Sequence, residues 1–316
     1  MRSPNDSTEP RLSVVVPSRG PAARLRATLA CLTGSGPGTP PFEVVVVDDN
    51  DGGDAGDHLS AVTREMGGPL PLRVVRGPRR GRAAARNAGA AAALAPRLVF
   101  LDDDVLVGPG FLAAHAGAAD PGAFTHGRLR ELPTAARFLT AVGGAAPAEV
   151  RHARAGLEPA PPAATPERRP PHRRLVANAL ERAVEAMDGG SLPDVAPWLG
   201  FVGANVAVDR AVWERTGGFD EEFGLTWGCE DLEFGFRLYA AGLRRALAPD
   251  ALGVHLSHAR PGRWEQHHRN LTHFSAAHPH PSVRALEALL GPDGTPEGYV
   301  RAVLAEEVAP ARDAAR

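Results

Sequence analysis

The chain has no lysine, so all 35 of its Lys-plus-Arg cations are arginines. That excludes Schiff-base lysine chemistry and any phosphate loop built around a lysine. Cysteine is nearly absent. Cys31 and Cys229 make neither a disulfide framework nor a structural zinc site, and a reducing setting suits them best. Long apolar runs are missing: nothing approaches the roughly 18 residues of a membrane span. The opening MRSPNDSTEP lacks the apolar centre of a signal peptide, so the expected location is cytoplasmic. A cationic excess is missing too. With 37 acidic residues against 35 basic ones the net charge is −2, whereas neutralising a phosphate backbone needs a clear surplus of cations. No nucleic-acid partner is expected.

The 316 residues suffice for about two domains, or for one large α/β domain with an appendage. Apolar runs at Leu12 to Val16, Phe42 to Val47, Leu72 to Val75 and Arg97 to Leu101 read as strands, the first of a kind buried on both faces. Between them, 22–32, 57–66 and 82–94 have helical spacing or composition. This alternation predicts βαβ units in an open, mostly parallel sheet flanked by helices. The rhythm breaks over 120–200, and 150–174, dense in Pro, Arg and Ala, reads as a flexible loop. Helices are expected at 209–216 and 231–241, with Gly242 at the C′ position. A short strand at 254–256 and a helical tail follow. The expected organisation is a flexible leader at 1–10, a first half at 11–108, a second half at 109–280, and a helical tail at 281–316.

In open α/β sheets ligands bind beyond the carboxyl ends of the strands. Here those ends carry Pro17-Ser18-Arg19, Asp48-Asp49-Asn50 and Asp102-Asp103-Asp104. PSRGPAARL stands where a dinucleotide enzyme needs G-x-G-x-x-G, which argues against nicotinamide or flavin chemistry. Three consecutive carboxylates repel one another unless a cation sits among them, and hard divalent ions take such oxygens together with a substrate diphosphate. A second acidic group, Glu230-Asp231, opens a helix; acids there also suit the helix dipole alone.

The blocks VVVPSR, VVVDDN, GRAAARNAGA, VFLDDD, GANVAVDRAVWERTGGFDEEF and WGCEDLEFGFRLYAAG, followed by GVHLSH, resemble in their order the nucleotide-diphospho-sugar glycosyltransferases of family 2 with the GT-A fold. The resemblance covers about 11–275 without the 120–195 insert. The WGCED segment is also similar to chondroitin-polymerase, galactosyltransferase and polypeptide N-acetylgalactosaminyltransferase domains. What the resemblance implies is a metal-dependent transfer from a UDP-sugar to a hydroxyl acceptor, which could be a glycan, a natural product or a peptide. It places Pro17, Ser18 and Arg19 along the base and ribose and pairs Asp48 with the uracil imide. Arg82, Arg86 and Asn87 then face the base and phosphates, and Asp103, Gly203 and Asn205 lie beside the nucleotide sugar. Asp102, Asp104 and His255 would hold Mn2+ or Mg2+, with His258 as the substitute for His255. Asp231 would be the general base of an inverting displacement, with Glu230 beside it. Trp227 and Trp264 are the aromatic candidates for the acceptor. With lysine absent, side-chain cations for phosphate must be arginines, and Arg79, Arg80, Arg260 and Arg263 join the candidates. VVDDN-DGG in place of the usual DDGS turn, and SRG after the first strand, depart from the family's pattern.

Three alternatives remain at this level. A retaining N-acetylhexosaminyltransferase would use the same blocks. A sugar nucleotidyltransferase would carry a Gly- and Lys-rich phosphate loop, which this chain lacks, and a binding module without catalysis would keep the fold alone.

Overall fold

The computed structural model describes residues 9–52, 54–133, 175–258 and 262–313. Most of the expected leader at 1–10, and the whole of the 150–174 loop, lie outside them. The first half alternates as its apolar runs require: β1 (Leu12–Ser18), α1 (Ala22–Leu32), β2 (Phe42–Asp48), α2 (Asp54–Met66), β3 (Leu72–Arg76), α3 (Arg82–Ala92) and β4 (Arg97–Leu101). β1 runs through Pro17 to Ser18 and is not stopped by the proline. It pairs with β4 only as far as Val15, so Pro17 stands where the strand has β2 as its one neighbour, a position that tolerates a missing N–H.

α3 owes its alanines to packing. A Cβ on Gly89 would lie 2.4 Å from a methyl of Val15 and 2.8 Å from one of Val47, so only small residues let the helix lie this close to the sheet. This contact fixes the helix N-terminus, Arg82 included, at the carboxyl end of the strands.

β5 (Val105–Val107) and α4 (Phe111–Gly117) come next, and two elements lie within the stretch expected to be irregular: β6 (Ala123–Glu131) and α5 (Ala179–Asp188). β7 (Asn205–Asp209), α6 (Arg210–Thr216) and α7 (Glu230–Ala240) follow the expected pattern, and Gly242 has φ 88°. β8 spans Arg244–His255, far more than the expected 254–256. Its APDA segment interrupts the apolar alternation, because the pairing with β6 jumps from His126↔Leu247 to Arg128↔Leu252. Gly127 permits the resulting bulge: a Cβ there would stand 2.0 Å from the Ala251 carbonyl. The chain closes with α8 (Arg263–Ala277), α9 (Pro281–Arg284), α10 (Glu287–Leu290) and α11 (Pro296–Asp313).

All eight strands form one sheet in the order β3-β2-β1-β4-β7-β6-β8-β5. The first four are parallel throughout. β7 enters antiparallel beside β4, and of the three remaining pairings only β6·β8 is parallel. Thus the mostly parallel sheet is a parallel half joined edge to edge to a mixed one. Apolar cores line both faces, and a third, centred on Trp198, Phe274, Leu286 and Tyr299, binds the late helices together. Among the described residues no helix is long and apolar enough to cross a membrane.

Candidate active site

A pocket opens where β1, β2 and β4 end and α3 begins. Its lining includes the expected Pro17, Ser18, Arg19, Arg82, Asp102, Asp103 and Asp104, together with His258. The Ser18 hydroxyl donates to Asp103 Oδ2 at 2.6 Å. Burial and the neighbouring Asp104 push Asp103 up to about 7. The N-terminus of α3 also faces this pocket through Gly81, whose φ of 100° suits only glycine and whose added Cβ would stand 1.8 Å from the Gly224 carbonyl. That close crossing brings the segment before Glu230 against the loop that opens α3.

Arg86 ties the two acidic motifs together. It is buried at the base of the site, with Nη2 2.8 Å from Asp102 Oδ1 and Nη1 2.9 Å from Glu230 Oε1, and its guanidinium lies 5.4 Å from the centre of the Phe219 ring. Burial works against its charge, but the two carboxylates hold it protonated. Arg86 is therefore engaged as a cross-link between acids, where the sequence suggested a phosphate contact. Gly203 makes room for it: a Cβ there would meet the guanidinium carbon at 2.5 Å. The Gly203 N–H donates to Asp231 Oδ2 at 2.9 Å. Burial and the adjacent Glu230 charge push Asp231 up to about 6, against the opposing pull of Arg86 and the Gly203 N–H. Glu230 Oε2 is buried and has no hydrogen-bond partner among the described residues. Arg82 stands on the pocket side, its Nε 3.6 Å from Glu230.

At the other end of the pocket Asp104, His255 and His258 gather ligand atoms that all lie within 4.8 Å of one another. His255 Nε2 is 3.3 Å and His258 Nδ1 3.5 Å from Asp104. The two histidines proposed as substitutes for each other thus occur together. Asp102, expected as a ligand, lies outside this group and faces Arg86. Burial disfavours charge on His255, but without a cation its bonds to Asp104 and Glu131 outweigh that and push it up to about 10; a cation there would take the place of the Nε2 proton. One carboxylate and two imidazoles are a donor set that could hold a divalent ion.

Several expected residues serve the scaffold. Asp48 accepts from the Asn50 N–H and side-chain amide, closing the turn after β2. It is Asp49 that lines the pocket, held by the Arg79 N–H at 2.6 Å. The turn VVDDN offers two adjacent acids, and only the fold decides which one faces inward. Asn87 binds the backbone of Phe219 through both side-chain ends. Asn205 is buried on His115 at 2.9 Å and on the carbonyls of Arg128 and Ala251, so its polar atoms are fully engaged away from the pocket. Trp227 and Trp264 lie outside the pocket lining and flank Arg263, whose guanidinium is 4.9 and 4.8 Å from their rings. Arg80 pairs with Glu221, and Arg260 lies outside the described residues. Sequence reasoning passed over Arg24 and Leu225, which line the pocket, and Glu131, which holds His255. None of the three stands in a recognisable motif.

The family model described as "Glycosyltransferase like family 2" matches residues 10–276. A validoxylamine A glucosyltransferase of Streptomyces hygroscopicus subsp. jinggangensis is 34% identical over 272 residues, 79% of this chain and 56% of that protein. A hyaluronan synthase of Pasteurella multocida is 30% identical over 250 residues, 73% of this chain and 23% of that protein. The chain spans about half the length of the glucosyltransferases it matches. Among solved structures, a mannosyltransferase from Pyrobaculum calidifontis in complex with GDP-Man and Mn2+ superposes with a TM-score of 0.51 at 20% identity, over 97% of this chain and 71% of that one. S. aureus TarS does so with a TM-score of 0.52 at 17% identity, over 94% and 42%. At these identities the likeness is one of fold.

Proposed function

The chain belongs to the family 2 glycosyltransferases, and from that premise we propose that it transfers a sugar from a UDP-sugar to an acceptor hydroxyl, with inversion and with a divalent cation. The observation that carries this reading is the Arg86 cross-link, which sets Asp102 of the pocket lining and the buried Glu230 on one guanidinium and so joins the donor-side and acceptor-side acids through a single side chain. The nucleoside diphosphate is assigned to the N-terminus of α3, where first-turn N–H groups and the helix dipole favour an anion, assisted by Arg82. Asp231 takes the proton of the acceptor hydroxyl as its oxygen bonds to the anomeric carbon and the diphosphate leaves. The unsatisfied Glu230 Oε2 supplies an acceptor for a sugar hydroxyl. Asp104, His255 and His258 would hold the cation, which supplies Lewis-acid stabilisation of charge on the departing diphosphate.

The functional test is a thermal-shift panel of nucleotide sugars with and without Mn2+, since a ligand that binds only the folded state raises its apparent stability. A turnover assay should accompany it. Because two relatives carry the name of a glucosyltransferase acting on validoxylamine A, UDP-glucose and that acceptor are the first pair to assay. A response to GDP-sugars alone would reject the uridine assignment, and NMR of the product's anomeric centre decides between inversion and retention.

Two further outcomes are expected. Transfer should cease on chelation, and Asp104→Ala should lose activity together with its response to added Mn2+. Activity that survives chelation would reject the metal. The pH profile should have an acid limb set by Asp231. As the base must be ionised, kcat/KM should rise with pH through about 6 and then level. A limb near the ordinary aspartate value would show that the base sits elsewhere.

A further inference from the structure

The structure assigns Glu131 a positioning role: its carboxylate fixes the orientation and tautomer of His255, so that Nε2 is presented to a cation shared with Asp104 and His258. This rests on the metal reading above and extends it to a residue that no sequence block marks. Glu131 is the last residue of β6, and Cα register pairs it directly with His255, the last residue of β8. Its Oε2 accepts from His255 Nδ1 at 2.7 Å. The ring is thereby bound at one nitrogen and has its other nitrogen, Nε2, 3.3 Å from Asp104.

An imidazole whose Nδ1–H is committed to a carboxylate has its lone pair on Nε2, which is the form a metal takes, and the carboxylate increases the ligand's basicity. Glu131 is itself held from three sides. Ser257 donates to the same Oε2. Asn178, the N-cap of α5, donates to Oε1 at 3.2 Å. Backbone bonds of 2.8 and 3.1 Å join Glu131 to Val176. The orienting carboxylate is therefore anchored both in the sheet and to the start of α5. Asp104 is fixed separately, its carbonyl accepting from the Leu256 N–H at 2.8 Å, so loss of Glu131 should release His255 without releasing Asp104.

Direct Mn2+ titration of the full chain in the presence of UDP, read by the electron paramagnetic resonance signal of free Mn2+, tests this without reference to turnover. Glu131→Ala is expected to weaken Mn2+ binding by about 10–100-fold, with UDP binding in the absence of metal unchanged. Glu131→Gln, which keeps an oxygen acceptor for Nδ1–H, should recover part of the loss. It also serves as the informative variant if the alanine form does not fold. If a folded Glu131 variant binds Mn2+ within twofold of wild type, the positioning role is overturned and the metal reading stands. If wild type fails to bind Mn2+, both fall.

Discussion

Asp231→Asn is expected to lower sugar transfer by about 10²–10⁴-fold, the range that general-base catalysis contributes, while leaving donor binding intact. The side chain sits at the start of α7, anchored by the Gly203 N–H at 2.9 Å, and the burial and adjacent charge that raise its affinity for a proton suit it to take one from a hydroxyl near neutral pH. Asparagine keeps the size and one acceptor oxygen but cannot accept a proton from the acceptor. The loss should therefore fall on kcat, with donor affinity by calorimetry and the melting temperature close to wild type. Near-wild-type turnover would remove Asp231 from the mechanism. An equal fall in donor affinity would mean that the residue serves binding.

Arg86→Met is expected to destabilise the fold by about 3–5 kcal/mol, the cost of removing one partner from a buried ion pair, which shows as a fall in melting temperature on the order of 10 °C. Two facts set the size. Arg86 and Glu230 side chains are each only 2% exposed, and the guanidinium bridges two carboxylates that would otherwise repel each other. Methionine fills comparable volume, so the loss measures charge and not a cavity. Arg86→Lys should recover part of the stability, because an ammonium keeps the charge but lacks the planar fork that reaches both acids. A methionine variant as stable as wild type would show that the acids find other partners. Activity should fall in both variants, since Asp102 and Glu230 then lose their common anchor.

The parallel half of the fold was legible because β1, β2 and β4 are buried and read as apolar runs, and α3 was legible from its composition. β6, α5 and most of β8 were not. β6 and α5 lie on either side of the Pro- and Arg-rich segment, within the 120–200 stretch where no regular apolar rhythm is read, and β8 is divided by a bulge that only the close approach at Gly127 allows. The site divides in the same way. Asp102, Asp104, Glu230, Asp231 and His255 stand in short motifs at strand or helix ends. Asp49 was missed because two adjacent acids look alike in a turn, and Glu131 because it carries no local signal.

By itself, then, the sequence determined the βαβ alternation, the acidic motifs and their family, and the absence of lysine that leaves phosphate neutralisation to arginine, metal and backbone. These are local properties, written in apolar spacing and in neighbouring residues. The tertiary structure alone decided what each charge does. Arg86 reads as a phosphate ligand in its helix, yet it is bound to acids 16 and 144 positions away, and His255 takes its orientation from a carboxylate 124 positions away. Which partner a buried charge takes depends on which groups the sheet order brings within hydrogen-bond distance, and in low dielectric that nearest opposite charge dominates every other interaction.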